Sequence, residues 1–186
     1  MKIAICGRMA AGKTTLANLI INGINDYDVV KLSMAGQVKA IAHDLFKMED
    51  KDRPLLQKIG MKMREIRHDV WLDYVIAEAD EYDNPQIIRI IDDVRFINEA
   101  TKLKENGWKN GWKIVRITID EKTQLERLKN TYDNWKIHWN NRNNPSEAEV
   151  DKISEEIIDW FVDANHVYDF AEELIYSINK EHYENG

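Results

Sequence analysis

Gly7-Arg8-Met9-Ala10-Ala11-Gly12-Lys13-Thr14 sets two glycines, a lysine and a hydroxyl at the spacing Gly-x-x-x-x-Gly-Lys-[Ser/Thr]. Glycines so placed let successive backbone N–H groups turn toward one anion, and a helix beginning at Lys13 adds the positive end of its dipole. At that spacing Lys13 reaches the β- and γ-phosphates of a nucleoside triphosphate, while Thr14 offers Mg²⁺ a hard oxygen. Ala10, Ala11 and Thr15 complete the backbone cradle. The flanks suit this chemistry. Lys2-Ile-Ala-Ile-Cys6 reads as a short buried strand, and Lys13 to Ile21 as a helix with an apolar stripe. The expected ligands are a nucleoside triphosphate and Mg²⁺.

Three further groups of residues have chemical potential. Asp92-Asp93-Val94-Arg95 follows the apolar run Gln86–Ile91, at the carboxyl edge of a strand, where open α/β sheets bind ligands. A carboxylate there holds Mg²⁺ or orients an acceptor, and an arginine takes phosphate in a bidentate fashion. The spacing does not decide whether Asp92 or Asp93 faces the metal. On a continuous helix, Leu56, Ile59, Met63, Ile66 and Val70 form one apolar stripe, flanked by Gln57, Arg64, Arg67 and Trp71. That cationic and aromatic edge suits a cleft, with the arginines on phosphate and Trp71 or Gln57 on a base; the alternative is solvated arginines paired with Glu65 or Asp69, and Trp71 in the core. The region from about 127 to 146 carries Arg127, Trp135, Trp139 and Arg142, and has the makings of a lid whose arginines close over phosphates.

The elements that must position these groups alternate. Strand character at Asp28–Ser33, Gln86–Ile91, Trp112–Ile119 and Trp160–Val162 is separated by helical spacing at Gly36–Phe46, from Pro54 toward Ala79 with a break near His68 or Asp69, at Phe96–Glu105, at Glu121–Asn130, and from about Tyr168 to Lys180. Ser146 is a candidate helix cap after the polar loop 140–145, and the echo Gly-Trp-Lys-Asn-Gly-Trp-Lys at 107–113 reads as a loop. Strands alternating with helices predict a parallel sheet covered on both faces. At 186 residues with no linker, a single domain is expected.

A net charge of −7 argues against a general binder of polymeric nucleic acid or of a membrane surface. One cysteine, Cys6, excludes an internal disulfide and suits a reducing compartment. No run is long enough for a membrane span, so a cytoplasmic protein is expected. The five histidines show no metal-ligand spacing. Oligomeric state is left open, a homodimer included.

Together these residues resemble the bacteriophage deoxynucleoside monophosphate kinases, a branch of the P-loop nucleotide kinases. Asp93-Val-Arg-Phe-Ile-Asn-Glu-Ala100 is similar to that family's Asp-Val-Arg-Phe-x-Asn-Glu segment, and Leu32-Ser-Met-Ala-Gly-Gln-Val-Lys39 to its Ser-Phe-Ala-x-x-Leu-Lys segment. Leu55-Leu-Gln-Lys-Ile-Gly60 with Trp71, Pro145-Ser-Glu147 and Asp159–Asn165 match more loosely. The resemblance implies a three-layer α/β sandwich with a five-stranded parallel sheet, ATP·Mg²⁺ as donor and a deoxynucleoside monophosphate as acceptor. It places an acceptor-binding helical region at about 34–80, sets Ser33, Lys39, Arg64 and Arg95 around the monophosphate, and gives Arg127 a catalytic place. Two positions depart from the pattern: Asn130 stands where a second arginine is common, and Met34 where an aromatic is expected. Alternatives are another P-loop small-molecule kinase, of the dephospho-coenzyme-A or sugar-acid type, and a nucleotide-binding module without turnover.

Overall fold

The apolar runs and amphipathic stretches become strands and helices in the computed structural model, which describes residues 1–82, 84–105 and 111–185. In chain order these are β1 (Lys2–Gly7), α1 (Lys13–Gly23), β2 (Asp28–Leu32), α2 (Met34–Phe46), α3 (Arg53–Ile66), α4 (Val70–Glu81), β3 (Ile87–Val94), α5 (Ile97–Glu105), β4 (Lys113–Thr118), α6 (Glu121–Thr131), α7 (Trp135–Asn140), α8 (Pro145–Ala148), β5 (Trp160–Asp163) and α9 (Val167–Asn185). The strands form one five-stranded parallel sheet in the order β2-β3-β1-β4-β5. Contacts group the chain into two compact units, residues 1–31 with 85–186, and residues 32–84.

The first unit carries the sheet and the phosphate loop. Its central strand β1 is buried on both faces, as a parallel strand between two layers of helix must be. Ile3 and Ile5 of β1, Ile88 and Ile90 of β3, Val115 and Ile117 of β4 and Val162 of β5 form one face of the sheet. Against it pack Leu16, Ala17 and Ile20 of α1 and Val167, Ala171, Leu174 and Ile178 of α9, a helix that runs past its expected end at Lys180. On the other face α5 lies against β4 and buries Ala100 and Leu103. The polar stretch after α7 turns directly into α8, so Ser146 lies in the first turn of that helix and not at its cap. Residues 107–110 of the tryptophan-bearing echo lie outside the described residues.

β3 departs from expectation in a way that matters for the site. It runs through Val94, so the acidic pair belongs to the strand itself. Its register with β1 shifts there: Ala4 lies opposite Ile91 and Cys6 opposite Val94, so Asp92 and Asp93 share the single place across from Ile5. An extra residue of this kind re-aims the side chains beside it.

The second unit is helical, and its long stretch breaks near His68 and Asp69, as the sequence reading has it. Asp52 caps α3 by accepting from the Leu55 N–H, with Pro54 in the first turn. α3 then stops at Ile66, and Arg67 has extended backbone. The wheel that joined Arg64, Arg67 and Trp71 therefore breaks, because α4 begins a new helix at Val70. Ile66, expected in the apolar stripe, is 81% exposed. Trp71, expected against a base, is 4% exposed, and its indole N–H donates to the Gly60 carbonyl at 3.1 Å. It is a core residue whose single polar handle is already used.

Candidate active site

The phosphate loop is built by backbone geometry that only certain residues tolerate. Gly7 has φ of 151°, and a Cβ there would lie 2.6 Å from the Ile117 carbonyl oxygen of β4. Gly12 has φ of 106° and begins α1 without any side-chain cap, leaving the first N–H groups of the helix for an anion. Ala10 adopts the left-handed conformation at φ 61°, uncommon for a residue with a Cβ. This conformation is held from outside the loop. Arg127 of α6 donates from one terminal nitrogen to the Ala10 and Ala11 carbonyls, each at 3.2 Å, and from the other to Ala164 after β5 at 2.7 Å. Gln124, one turn earlier, donates to the Met9 carbonyl at 3.0 Å.

Arg127 therefore occupies a place different from the one expected of a lid residue. It sits within a continuous helix and fixes loop carbonyls. Arg142 lies over the Trp139 ring at 4.0 Å, donates to the Trp139 carbonyl at 2.9 Å and approaches Glu121 at 3.9 Å. Trp135 takes Lys129 and Lys136 over its ring. These contacts make 127–142 a cation–aromatic hairpin.

Lys13 Nζ donates to the Gly7 carbonyl at 2.7 Å and the Arg8 carbonyl at 2.8 Å. Burial, with the Arg95 guanidinium adding to it, pulls the Lys13 ammonium down to a pKa of about 8, against the opposing pull of Glu147, Cys6 and Asp92. Burial likewise pushes the Cys6 thiol up to about 11, so Cys6 is packing and no nucleophile.

Of the acidic pair, Asp92 lies beside Thr14. Asp92 Oδ2 accepts from the Thr14 hydroxyl at 2.8 Å and pairs with Lys31 at 2.7 Å, and its side chain is 7% exposed. Asp93 is half-buried, in the register shift beside it. Arg95, just past the strand, is fixed at both ends. Its backbone N–H and that of Phe96 donate to the buried Glu99 carboxylate at 2.8 and 3.1 Å, and its guanidinium donates to Glu147 at 2.5 Å. Glu147 also accepts the Met9 N–H at 2.9 Å, tying Arg95 to the phosphate loop. Glu147 and Glu99 were not among the residues singled out for chemistry; the short Pro145-Ser-Glu147 match was the one sequence signal that touched the former.

Among the described residues no group of three or more His, Cys, Asp or Glu side chains is arranged to hold a metal by itself. The donors present, a threonine hydroxyl and a carboxylate 2.8 Å apart, fit Mg²⁺, which binds through one or two protein oxygens plus substrate phosphates and water.

In the helical unit, Ser33 caps α2 by accepting the Gly36 N–H at 3.1 Å. Lys39 and Gln57 are exposed. Arg64 is half-buried and its guanidinium lies 3.4 Å from the Gly60 carbonyl, whereas Arg67 pairs with Asp73 at 2.5 Å. No helix among the described residues is long and apolar enough to cross a membrane.

No protein-family model matches the chain, and no curated protein matches its sequence. Solved structures do match along nearly its whole length. A gluconokinase from Sinorhizobium meliloti aligns over 100% of this chain and 97% of its own, with a TM-score of 0.55 at 13% identity. A shikimate kinase from Aquifex aeolicus aligns over 97% and 98%, with a TM-score of 0.50 at 18% identity. A tunicamycin resistance protein from Deinococcus radiodurans aligns over 95% and 94%, with a TM-score of 0.56 at 13% identity. At these identities the likeness is one of fold. The chain has the three-layer α/β fold with a five-stranded parallel sheet found in such small kinases.

Proposed function

We propose that the protein is an ATP-dependent phosphotransferase acting on a small acceptor, and that the acceptor is a deoxynucleoside monophosphate. One observation carries the kinase reading: Lys13, the Thr14–Asp92 pair and Arg95 converge on a glycine-built phosphate loop at the carboxyl end of the sheet. The first needs of phosphoryl transfer are a cradle for the donor's phosphates, oxygen ligands for its metal, and a further cation for the group in flight.

In this reading the loop N–H groups and the start of α1 hold the donor phosphates. Lys13 leaves the Gly7 and Arg8 carbonyls for the β/γ oxygens. Thr14 and Asp92 would hold Mg²⁺, which when bound would supply positive charge to the donor phosphates. Arg95 orients the acceptor's phosphate. The acceptor's phosphate oxygen forms a bond to the γ-phosphorus as the bond to the bridging oxygen of ADP breaks, giving a diphosphate and ADP. Such an oxygen is already anionic, so positioning and charge neutralisation suffice without a strong base. The Asp-Val-Arg-Phe segment supports a monophosphate acceptor. Ser33, Lys39, Gln57, Arg64 and Arg67 are the further acceptor candidates of the helical unit.

A second reading takes the acceptor to be a sugar acid, favoured by the likeness to a gluconokinase and a shikimate kinase. The discriminating experiment incubates the protein with Mg²⁺·ATP and each common ribo- and deoxyribonucleoside monophosphate, with gluconate and shikimate in parallel. ADP release and phosphorylated product are measured. Diphosphate from one or more deoxy substrates is the expected result. Turnover with a sugar acid alone moves the assignment to the second reading. ATP binding with no turnover on any acceptor refutes both.

A further inference from the structure

Glu147 is an acid in an unusual place. It lies in the short helix α8, far along the chain from the phosphate loop, yet is only 8% exposed. Its two oxygens are held by two donors of different kinds: the Met9 N–H of the loop at 2.9 Å and the Arg95 guanidinium at 2.5 Å. Both donors are groups that the proposed function assigns to phosphate. A carboxylate between them presents a charge and an oxygen pair much like one edge of a phosphoryl group. Lys13 meanwhile is folded back on the Gly7 and Arg8 carbonyls. The same segment continues the pattern: Glu149 accepts the Ile97 N–H at 3.3 Å, and Asp151 pairs with Arg8 at 2.5 Å and with Arg116 at 3.3 Å.

We propose that Glu147 is a built-in phosphate surrogate, seated on the anion-binding groups and displaced when a polyphosphate enters. The inference rests on the donor-site reading above and adds a residue that sets affinity and selectivity. A ligand must outcompete a carboxylate already in place. Polyanions that reach several loop N–H groups at once do so, and a single inorganic phosphate does so poorly. On displacement the Arg95 guanidinium is released from Glu147 when a phosphoryl group is there to receive it. A buried carboxylate bridging two donors can also be a mere strut; the two roles predict opposite changes in affinity when it is removed.

The test is equilibrium binding by calorimetry with the full chain, comparing wild type, Glu147→Gln and Glu147→Ala. The probes are Mg²⁺·ATP and inorganic tripolyphosphate. If the plugged state outweighs the open one by about ten to one, removing the plug tightens apparent binding about tenfold. Glu147→Ala is expected to show that gain with both probes. Glu147→Gln, which keeps an acceptor for Met9 but gives up the charge facing Arg95, should fall between it and wild type. Circular dichroism establishes that each variant is folded, and the isosteric glutamine carries the test should alanine disturb the fold. Unchanged or weaker binding in a folded variant, with wild type binding normally, overturns the surrogate and leaves the donor site standing. Failure of wild type and both variants to bind either probe overturns the surrogate and the donor-site reading together.

Discussion

Replacing Lys13 by methionine should make the unliganded protein more stable while removing its capacity to hold a nucleotide. Burial, reinforced by Arg95, brings the Lys13 ammonium from an ordinary 10.5 down to about 8 in the folded chain. At about 1.4 kcal/mol per pH unit, keeping that proton in the fold costs about 3 kcal/mol. The sign follows from proton counting. Between pH 8 and 10.5 the unfolded chain binds more protons at this position than the native one, so native stability rises with pH across that window. Below pH 8 both states are protonated and the whole penalty is present. Lys13→Met keeps the length and removes the charge, but also loses the hydrogen bonds to the Gly7 and Arg8 carbonyls. The net gain at pH 7 should therefore be about 1–3 kcal/mol, or a thermal midpoint higher by about 2–10 °C for a chain of this size. Urea unfolding of both proteins at intervals from pH 6.5 to 10.5 is the assay, with Mg²⁺·ATP binding measured alongside. The stability difference should shrink as pH climbs above 8. A variant less stable than wild type at pH 7, or a difference flat across the range, would refute the claim that the Lys13 ammonium is strained in the folded chain.

Arg95→Ala should lower turnover by about a hundredfold or more while Mg²⁺·ATP affinity stays within a few-fold, checked by steady-state kinetics and calorimetry. Asp92→Asn removes the carboxylate from Thr14 and Lys31; activity should fall by about a hundredfold, with a higher Mg²⁺ requirement in a metal titration. Arg127→Met strips donors from the Ala10, Ala11 and Ala164 carbonyls. A loss of about 2–3 kcal/mol is expected, with faster amide exchange in residues 9–13 as the specific sign that the loop has loosened. With its thiol raised to about 11 and fully buried, Cys6 should react with a maleimide only under denaturing conditions; rapid labelling of the native protein would contradict its place in β1.

The sheet and the glycine loop were largely legible because both are written in local pattern. A run such as Lys2-Ile-Ala-Ile-Cys6 has few structural alternatives when a glycine loop and an amphipathic stretch follow. What escaped depended on geometry that spacing does not encode. Strict alternation could not say which aspartate lies beside Thr14, because the register shift at Asp92–Asp93 suspends alternation there. The wheel over 56–71 runs across the expected break near His68, and Trp71, on the far side of it, goes into the core. The resemblance gives Arg127 a catalytic place, yet its work on the Ala10 and Ala11 carbonyls depends on α6 passing the phosphate loop. Glu147 was hidden for the same reason. A carboxylate distant in sequence from the donors it serves carries no local signature, and only the assembled site brings it to Met9 and Arg95.

The position of β1 bears on how the chain comes off the ribosome. Its two neighbours are β3 and β4, so the strand emitted early, apolar along its length, has no partner until residue 87 and beyond have been made. At 5–20 residues per second that interval is roughly 4–16 s, during which Ile3 and Ile5 have no sheet to enter. The helical stretch 34–81 is translated in that interval and can form on its own local contacts. Synthesis thus delivers the seam of the molecule before the strands that close it. In a cell-free system, the nascent chain should depend most on chaperones before β3 clears the exit tunnel, and least after β4 has followed.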